Sequence, residues 1–565
     1  MEIKSISSLI FKGNKKLNSP KNRFLKLKEL HYDTFQVSFK NKNKRKIPLD
    51  ITPKTGYKVA HKLKKGTSGF RAPYLSEVFT PETIKLITLG TAGYLKENTP
   101  DNKLPKILIG GDTRKSTREL LPEIKDTLLK QGIGVIYIEN PVPTPLLALA
   151  SKKLEIPVSI LMTASHNPWN DGGINFITPD GAVAPSEITE QIAKNIEIIS
   201  AKGNYEEEIK PSGALYKFNP YDLYKKEIKS LNLIDFEKIK KSNIEIFYDS
   251  LNGTGQYVIP RLLKDNGINF KEVKSSGQKG PEPKEENLKE LSKNIINSRK
   301  RLKIGITNDG DADRFGIIDE KGKYINPSDV MLLIMYHLVK NKHLSGDVVK
   351  NHASSILINK LAQTYNLKVH ETPVGFKYLA SDILKLRKTG SDILLAGEES
   401  GGLTVKGHIP EKDGIIADLL ILDLIAEENK PICEILKSIK DKLSITTYIE
   451  NYSERFENDK TKEDIINKWE QLFIEEAVLN QNNFKFGKNH IVDCKKSKEA
   501  FENILEYKPD GDGFRFIMTD DSSVIVRKSG TEPLIRYRIE ATGKDSDKAK
   551  QNALELKNCV DSFFN

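Results

Sequence analysis

The sequence has few cysteines and no long hydrophobic run. Its three cysteines, Cys433, Cys494 and Cys559, lie far apart without metal-ligand spacing, which argues against a disulfide scaffold and favours a reducing cytoplasm. No run approaches the ~18–20 apolar residues of a membrane span. Four lysines interrupt the first 16 residues, unlike a signal peptide. We therefore expect a cytoplasmic protein without membrane partners.

An excess of positive charge is confined to the N-terminal part. Residues 1–65 contain 18 of the 89 Lys and Arg residues and 4 of the 77 Asp and Glu residues, so their net charge is +14 and that of the remainder is −2. A near-neutral body argues against nucleic-acid binding by the globular part. We expect the basic run at residues 42–46 to be solvated, and binding of residues 1–65 to nucleic acid is a weaker alternative.

The length of 565 residues predicts several domains, since one domain takes roughly 150 residues. Residues 107–109 and 134–138 are predicted strands on either side of a predicted helix at 116–130, which is typical of βαβ units. The same alternation recurs further along, and four times a polar or glycine-rich turn follows a short apolar strand. Such turns bind ligands in α/β sheets. Residues 524–563 instead predict antiparallel strands and a closing helix, a small α+β domain.

Ser165 is the first candidate for chemistry. It lies in the stretch Thr-Ala-Ser-His-Asn-Pro at residues 163–168, directly after a predicted strand at 158–162. The turn predicts an exposed hydroxyl, although serine, asparagine and proline are also ordinary turn residues. The sequence therefore leaves a reactive serine and a plain polar turn as alternatives.

Asp309, Asp311 and Asp313 alternate along the chain, so their carboxylates can converge on one cation. Three carboxylates without His or Cys select a hard divalent ion, Mg²⁺ before Ca²⁺ or Mn²⁺. An EF-hand is the competing interpretation, because Glu320 is the twelfth residue of the stretch. Arg314, however, occupies the sixth position, where that loop requires glycine. Beside a metal, Arg314 suits a phosphate.

Two further groups suit a phosphorylated sugar. Arg527, Ser529, Gly530 and Thr531 combine a guanidinium, two hydroxyls and loop amides, which together form a phosphate cradle. The pair Glu398 and Ser400 suits sugar hydroxyls, with a solvated strand-to-helix turn as the alternative. Covalent phosphoryl transfer through the serine would use all four features: the serine, the metal triad, the phosphate cradle and the hydroxyl-binding pair.

On these residues the chain resembles the α-D-phosphohexomutases, which include phosphoglucomutases and phosphomannomutases. The resemblance runs from about Lys65 to the C terminus. It rests on five motifs in the family's order: residues 66–71 (Gly-Thr-Ser-Gly-Phe-Arg), 163–168, 309–314 (Asp-Gly-Asp-Ala-Asp-Arg), 397–401 (Gly-Glu-Glu-Ser-Gly) and 527–533 (Arg-Lys-Ser-Gly-Thr-Glu-Pro).

The resemblance implies an α/β protein of four domains in a heart shape. Three related α/β domains with mixed sheets precede a C-terminal α+β phosphate-binding domain that can rotate. The expected boundaries are a basic extension at 1–55, domain 1 at 56–235, domain 2 at 236–345, domain 3 at 346–450 and domain 4 at 451–565.

The resemblance also implies a role for each candidate residue. Phosphoserine forms at Ser165, and Mg²⁺ is held by the three aspartates together with the phosphoserine. The further catalytic residues are Arg71, His166 and Lys412. The further substrate-binding residues are Arg314, Thr372, Gly375, Glu398, Ser400 and the cradle.

The implied activity interconverts hexose 1-phosphate and hexose 6-phosphate through a hexose 1,6-bisphosphate, which also acts as activator. Glucose phosphates are the first expected substrate and mannose phosphates the second. Residues 398–402 and 408–410 look more like phosphoglucomutases and dual-specificity enzymes than like phosphoglucosamine mutases. We expect a monomer or weak dimer.

Three positions depart from the family's pattern: Asn175 stands where lysine is usual, Lys528 where proline is usual, and Ala72 where glycine is common. The lysine is a candidate general acid/base, and asparagine cannot transfer protons. His166, Arg71 or Lys412 then transfers the proton, or turnover is low. A sugar-phosphate phosphatase and a catalytically weak sugar-phosphate-binding paralogue are the alternative functions.

Overall fold

The computed structural model describes most of the chain. It covers residues 4–5, 33–36, 44–48, 52–65, 69–208, 214–276, 279–456, 459–471, 485–486, 489–496, 513–528 and 534–562. The chain divides into two compact units, one of residues 1–325 with 401–431 and the other of residues 326–400 with 432–565. None of the described helices is long and apolar enough to cross a membrane.

The first unit begins with a mixed sheet of eight strands. Their order across the sheet is Lys4–Ser5, Asp33–Gln36, Ala214–Lys217, Gly134–Tyr137, Lys106–Gly111, Ser159–Met162, Asp171–Ile177 and Gly69–Pro73. The central strands run parallel, and the pairs nearer both edges are antiparallel. The helices of this region are Pro53–Lys65, Pro81–Glu97, Lys115–Lys130, Thr144–Leu154 and Ser186–Lys202. The central strands are buried apolar runs, as expected where helices cover both faces of a sheet.

The described parts of residues 1–48 in the N-terminal extension are strands. Asp33–Gln36 pairs with Ala214–Lys217 and extends the large sheet. Lys44–Pro48 pairs with Asn204–Glu208 and places three basic residues opposite three glutamates. Residues 44–46 of the basic run are thus paired in register with an acidic strand.

A second mixed sheet follows in the same unit. Its five strands lie in the order Lys271–Glu272, Glu245–Asp249, Lys303–Asn308, Phe315–Ile318 and Tyr324–Ile325. Its helices are Tyr221–Leu231, Phe236–Lys241, Ile259–Asp265 and Lys289–Asn297, with short 3₁₀ turns at Thr254–Tyr257 and Glu285–Asn287. Residues 401–431 contribute the strand Leu403–Val405 and the helix Gly414–Glu428. That helix is buried from Gly414 to Ala426, which identifies it as a core helix.

The second unit contains an α/β part and an antiparallel part. The α/β part has parallel strands Val369–Thr372, Asp347–Asn351 and Ile393–Gly397. Its helices are Pro327–Tyr336, Ile356–Thr364, Phe376–Lys388 and Ile432–Leu443, with a π-helical turn at His337–Asn341. The antiparallel sheet has the order Thr446–Arg455, Leu534–Gly543, Ser523–Lys528, Gly513–Met518, Asn489–Lys496 and Lys485–Phe486, with helices Asp459–Gln471 and Ser546–Ser562.

A 3₁₀ turn at Thr254–Tyr257 precedes the α-helix Ile259–Asp265, so the two do not form one continuous helix. Pro260 explains the break, because proline has no N–H to donate and fits only the first helical turn. Arg71 lies within the strand Gly69–Pro73, which pairs with Asp171–Ile177.

Candidate active site

Ser165 lies in a tight turn after the strand Ser159–Met162. Its φ of 49° is in the left-handed region, which is uncommon for a residue with a side chain. Its N–H donates to Thr163 Oγ1 at 2.8 Å, which supports the turn. Strained backbone at a functional position persists only where its surroundings determine it.

The predicted exposure of the Ser165 hydroxyl is wrong, because only 1% of the residue is accessible. The loop that carries the aspartates covers it. A Cβ built on Gly310 would lie 2.6 Å from Ser165 O, so the two loops approach as closely as a glycine allows. The hydroxyl therefore points into a site formed by both loops.

Buried Arg114 holds the serine turn in place. Its Nη2 donates to the carbonyl oxygens of Ser165 at 2.6 Å and Asn167 at 2.7 Å, and Nη1 donates to that of Asp171 at 3.3 Å. Its Nε pairs with Asp112 Oδ2 at 3.0 Å, so the buried charge is compensated. Sequence reasoning missed Arg114, although its position just after a central strand was an available signal.

The three aspartates lie together after the strand Lys303–Asn308. One carboxylate oxygen from each lies within 4.8 Å of the others, and all three residues are buried. Asp309 Oδ1 accepts the N–H groups of Asp313 at 3.1 Å and Arg314 at 3.2 Å. Thr144 Oγ1 donates to Asp311 Oδ2 at 2.7 Å. The loop thus fixes the orientation of the carboxylates before any ligand binds.

The donor set fits a hard divalent cation. Asp311 Oδ1 and Asp313 Oδ1 are buried, and neither has a hydrogen-bond partner among the described residues. Burial, followed by repulsion from the neighbouring carboxylates, raises the pKa of Asp311 to about 6 and that of Asp309 well above its usual range. A cation would remove this repulsion, and an all-oxygen donor set suits Mg²⁺.

The serine hydroxyl lies against this triad. Ser165 Oγ donates to Asp309 Oδ2 at 2.7 Å and is 3.3 Å from His166 Nδ1. Burial and then the nearby guanidinium groups of Arg314 and Arg71 lower the pKa of His166 far below its usual value. Its imidazole is therefore neutral at physiological pH.

Three cationic side chains belong to the same site. Lys412 Nζ lies 3.0 Å from Asp313 Oδ2, and Arg71 Nη1 donates to Asn167 Oδ1 at 3.3 Å. Arg314 directly follows the triad, and its Nε is 4.0 Å from Asp313 Oδ1. The predicted residues of the first unit are thus brought together from distant parts of the sequence.

Asn175 lies on the same face of the sheet edge as Arg71. The pairing places Gly69 opposite Asn175 and Arg71 opposite Gly173, and residues two apart in a strand share a face. Asn175, which stands where the family usually has lysine, therefore lies next to Arg71 of the candidate site.

The second unit contains the remaining predicted residues. Ser400 Oγ donates to Glu398 Oε1, so these two side chains form a pair. Thr372 is buried at the end of the strand Val369–Thr372, and Gly375, with a φ of 129°, precedes the helix Phe376–Lys388.

The phosphate cradle is described only in part. Arg527 lies in the strand Ser523–Lys528, and burial lowers the pKa of its guanidinium. Ser529, Gly530 and Thr531 lie outside the described residues. Arg536 is directly opposite Arg527 in the neighbouring strand. Sequence reasoning missed Arg536, because strand register cannot be read from the local sequence.

Family models match the chain in four successive regions. The phosphoglucomutase/phosphomannomutase α/β/α domains I, II and III match residues 62–202, 222–322 and 326–443, and the C-terminal domain matches residues 489–557. The chain belongs to the α-D-phosphohexomutase family.

Several relatives of known name span nearly the whole chain. A phosphoglucomutase/phosphomannomutase from Thermococcus kodakarensis is 28% identical over 86% of this chain and 96% of its own. A phosphoglucosamine mutase from Clostridioides difficile is 26% identical over 88% and 98%. A phosphoglucosamine/phosphogalactosamine mutase from Sulfurisphaera tokodaii is 29% identical over 88% and 98%. The named activities thus include both hexose and hexosamine substrates.

Solved structures agree on the fold. Parafusin, a phosphoglucomutase from Paramecium, superposes with a TM-score of 0.74 at 22% identity, over 92% of this chain and 97% of its own. A phosphoglucomutase/phosphomannomutase family protein from Burkholderia thailandensis gives 0.64 at 17% identity, over 89% and 98%. The predicted family and fold class, three α/β domains with mixed sheets and a C-terminal α+β domain, are confirmed. This phosphohexomutase is therefore an intramolecular phosphotransferase, and its domain boundaries stay predictions.

We expect Arg114→Met to destabilise the serine turn. Removing one partner of a buried ion pair leaves Asp112 unpaired, which costs about 3–5 kcal/mol of the free energy of unfolding. Denaturant titration measures this loss. Arg118→Met, at an exposed position in the helix Lys115–Lys130 that follows Arg114, is the control and should change the free energy of unfolding by less than about 0.5 kcal/mol. An equal loss of unfolding free energy in Arg114→Met and Arg118→Met would contradict the role of Arg114 in holding the serine turn.

We expect divalent-cation binding to weaken as the pH falls through about 6. Protons compete with the cation for Asp311, whose pKa is raised to about 6 in the metal-free protein. Calorimetric titration with Mg²⁺ at pH 7.5 and pH 5.5 measures the change.

Asp311→Asn should weaken Mg²⁺ binding about tenfold or more, because a charged ligand is lost. The control is Asp319→Asn, because Asp319 accepts backbone N–H groups in a turn after the next strand and lies outside the triad. Unchanged affinity in Asp311→Asn would refute the metal site.

Proposed function

We propose that the protein interconverts hexose 1-phosphate and hexose 6-phosphate through phosphoserine at Ser165 and a hexose 1,6-bisphosphate. One observation carries this proposal: Ser165 Oγ lies 2.7 Å from Asp309 Oδ2 in a turn held by buried Arg114. A serine hydroxyl fixed against a carboxylate triad is positioned to carry a phosphoryl group beside a cation.

The residues around Ser165 divide the remaining tasks. Asp309, Asp311 and Asp313 would hold Mg²⁺, which when bound offsets the charge of the transferring phosphoryl group. Neutral His166 orients the serine hydroxyl. We assign charge stabilisation on the phosphoryl oxygens to Arg71, Arg314 and Lys412. These three are cationic, and such groups stabilise charge that develops during transfer.

Lys412 is our first candidate for proton transfer to and from the sugar hydroxyl. Asn175 cannot supply the proton that the usual lysine would. The Lys412 ammonium group is fixed 3.0 Å from Asp313 Oδ2 and 3.2 Å from Glu411 Oε1. The Lys412 ammonium group, held against the loop of the three aspartates, would reach the sugar oxygen that gains or loses the phosphoryl group.

The proposed cycle uses one phosphate cradle twice. Arg527, with Ser529, Gly530 and Thr531, would bind whichever phosphate is not reacting. Glu398 and Ser400 would bind sugar hydroxyls, and Thr372 and Gly375 belong to a further sugar-binding loop. After the first transfer the bisphosphate turns over, and its other phosphate returns to Ser165. Added hexose 1,6-bisphosphate would therefore act as activator by phosphorylating Ser165.

Glucose phosphates are our first choice of substrate and mannose phosphates our second. The stretch Glu398-Glu399-Ser400, by its resemblance to phosphoglucomutases, supports this order. Glucosamine phosphate is the third candidate, and it is favoured by the relatives named phosphoglucosamine mutase. The three sugars differ at C2, so a comparison of turnover rates distinguishes them.

The deciding experiment measures conversion of the 1-phosphates of glucose, mannose and glucosamine to their 6-phosphates with Mg²⁺ and a trace of the matching 1,6-bisphosphate. We expect wild-type turnover, greatest with glucose, and loss of about 10³-fold or more in Ser165→Ala, because the covalent step is removed. Ser242→Ala is the matched control, since Ser242 Oγ donates to Ile239 O at the end of the helix Phe236–Lys241.

Other outcomes would redirect the assignment. Release of inorganic phosphate independent of bisphosphate would favour a sugar-phosphate phosphatase. Binding of hexose phosphate without turnover, by folded and Ser165-phosphorylated protein, would favour the weak binding paralogue that Asn175 suggests. Faster turnover of glucosamine phosphate than of both hexoses would overturn the proposed substrate order.

A further inference from the structure

A buried hydrogen-bond network lies behind Lys412. Asp413 Oδ2 accepts the Tyr224 hydroxyl at 2.7 Å and lies 2.8 Å from His408 Nε2. Tyr224, His408 and Asp413 each have 0% accessible surface. Tyr224 comes from the helix Tyr221–Leu231, whereas the other two flank the turn that carries Lys412. The network therefore ties this turn to a helix that is distant in sequence.

The other oxygen of Asp413 fixes the backbone immediately after Lys412. Asp413 Oδ1 accepts the N–H groups of Ile415 at 2.9 Å and Ile416 at 3.0 Å, and so caps the helix Gly414–Glu428. A carboxylate at this position also interacts favourably with the helix dipole. One carboxylate thus connects the helix start with Tyr224 and His408.

The same turn contacts the metal loop. Gly414 N donates to the carbonyl oxygen of Ala312 at 3.2 Å, between two of the aspartates. A Cβ built on Gly402 would lie 2.2 Å from Lys412 Cδ, so the lysine stem lies directly on that glycine. Both ends of the Lys412 side chain are therefore constrained: the stem by Gly402 and the ammonium group by Asp313 at 3.0 Å.

We propose that Tyr224 and His408 are positioning residues, which act through Asp413 to hold Lys412 at the reacting phosphoryl group. This inference rests on the proposed function, because it needs Lys412 to act in the reaction. Tyr224 and His408 both contact Asp413 Oδ2, so their influence on Lys412 would pass through that carboxylate.

The chemistry of the network favours positioning over simple packing. Burial and the Asp413 carboxylate raise the pKa of Tyr224 well above its usual value, so its hydroxyl stays protonated and donates throughout the assay range. Phenylalanine would fill nearly the same volume and has no hydroxyl that needs a buried partner. If the position served core packing alone, phenylalanine would suffice. Tyrosine instead supplies a directional donor to the carboxylate next to Lys412.

The test is a double-mutant cycle between Tyr224 and Lys412, with kcat and KM measured on the best hexose 1-phosphate. We expect Tyr224→Phe to lower kcat about tenfold, the size of one hydrogen bond to a charged group, with KM within about twofold. In the Lys412→Met background the same change should lower kcat by less than about twofold, because the group being positioned is absent.

The matched control is Tyr221→Phe on the same helix. Tyr221 donates to Asp265 Oδ2 at 2.9 Å and lies outside the network, so its loss should leave kcat within about twofold of wild type. Thermal melts of every variant confirm that each is folded at the assay temperature.

A second variant, Asp413→Asn, keeps an oxygen that can cap the helix but replaces the acceptor for Tyr224 and His408 with an amide. We expect the same coupling to Lys412→Met, so the inference stays testable if Tyr224→Phe does not fold. Equal losses of kcat with and without Lys412, or an equal loss in Tyr221→Phe, would overturn the inference.

The cycle also separates this inference from the proposed function. A wild type inactive on every hexose phosphate would refute the proposed function itself. An active wild type with unchanged kcat in Lys412→Met would refute the role of Lys412, and with it the positioning of that residue.

Discussion

Three carboxylates buried within 4.8 Å of one another are the constraint on which the first unit depends. Their mutual repulsion and loss of hydration are costly unless cations and hydrogen bonds compensate. The structure provides Lys412, Arg71 and Arg314 near the triad, and backbone N–H groups for Asp309. The remaining carboxylate oxygens are those that a divalent cation would bind.

The serine turn depends on this arrangement. Ser165 is in the left-handed region, and its hydroxyl donates to Asp309. Arg114 supports this turn, because it binds the carbonyl oxygens on both sides of His166. The local backbone strain at Ser165 is thus maintained by the buried guanidinium of Arg114.

Sequence reasoning selected candidate residues by type and motif, and it did not find the residues that hold those candidates in place. Ser165, the aspartates, Lys412 and Arg71 stand in motifs whose residue types suit phosphate, metal and sugar. Arg114 and Tyr224 do not, because a buried arginine or tyrosine is recognised only from its partners. Arg536 is recognised only from its strand register opposite Arg527. The exposure of Ser165 was predicted wrongly for the same reason: the loop that covers it begins more than 140 residues later.

The sequence by itself determined the α/β alternation, the order of the motifs and the family, because these depend on local periodicity and on residue type. The closing helix, Ser546–Ser562, followed from the same periodicity. Only the tertiary structure decided which strands pair, that the basic run at Lys44–Pro48 lies opposite an acidic strand, and that Asp413 joins Tyr224 to the turn of Lys412. Register, burial and long-range hydrogen bonds depend on how distant segments pack, and no local pattern contains that information.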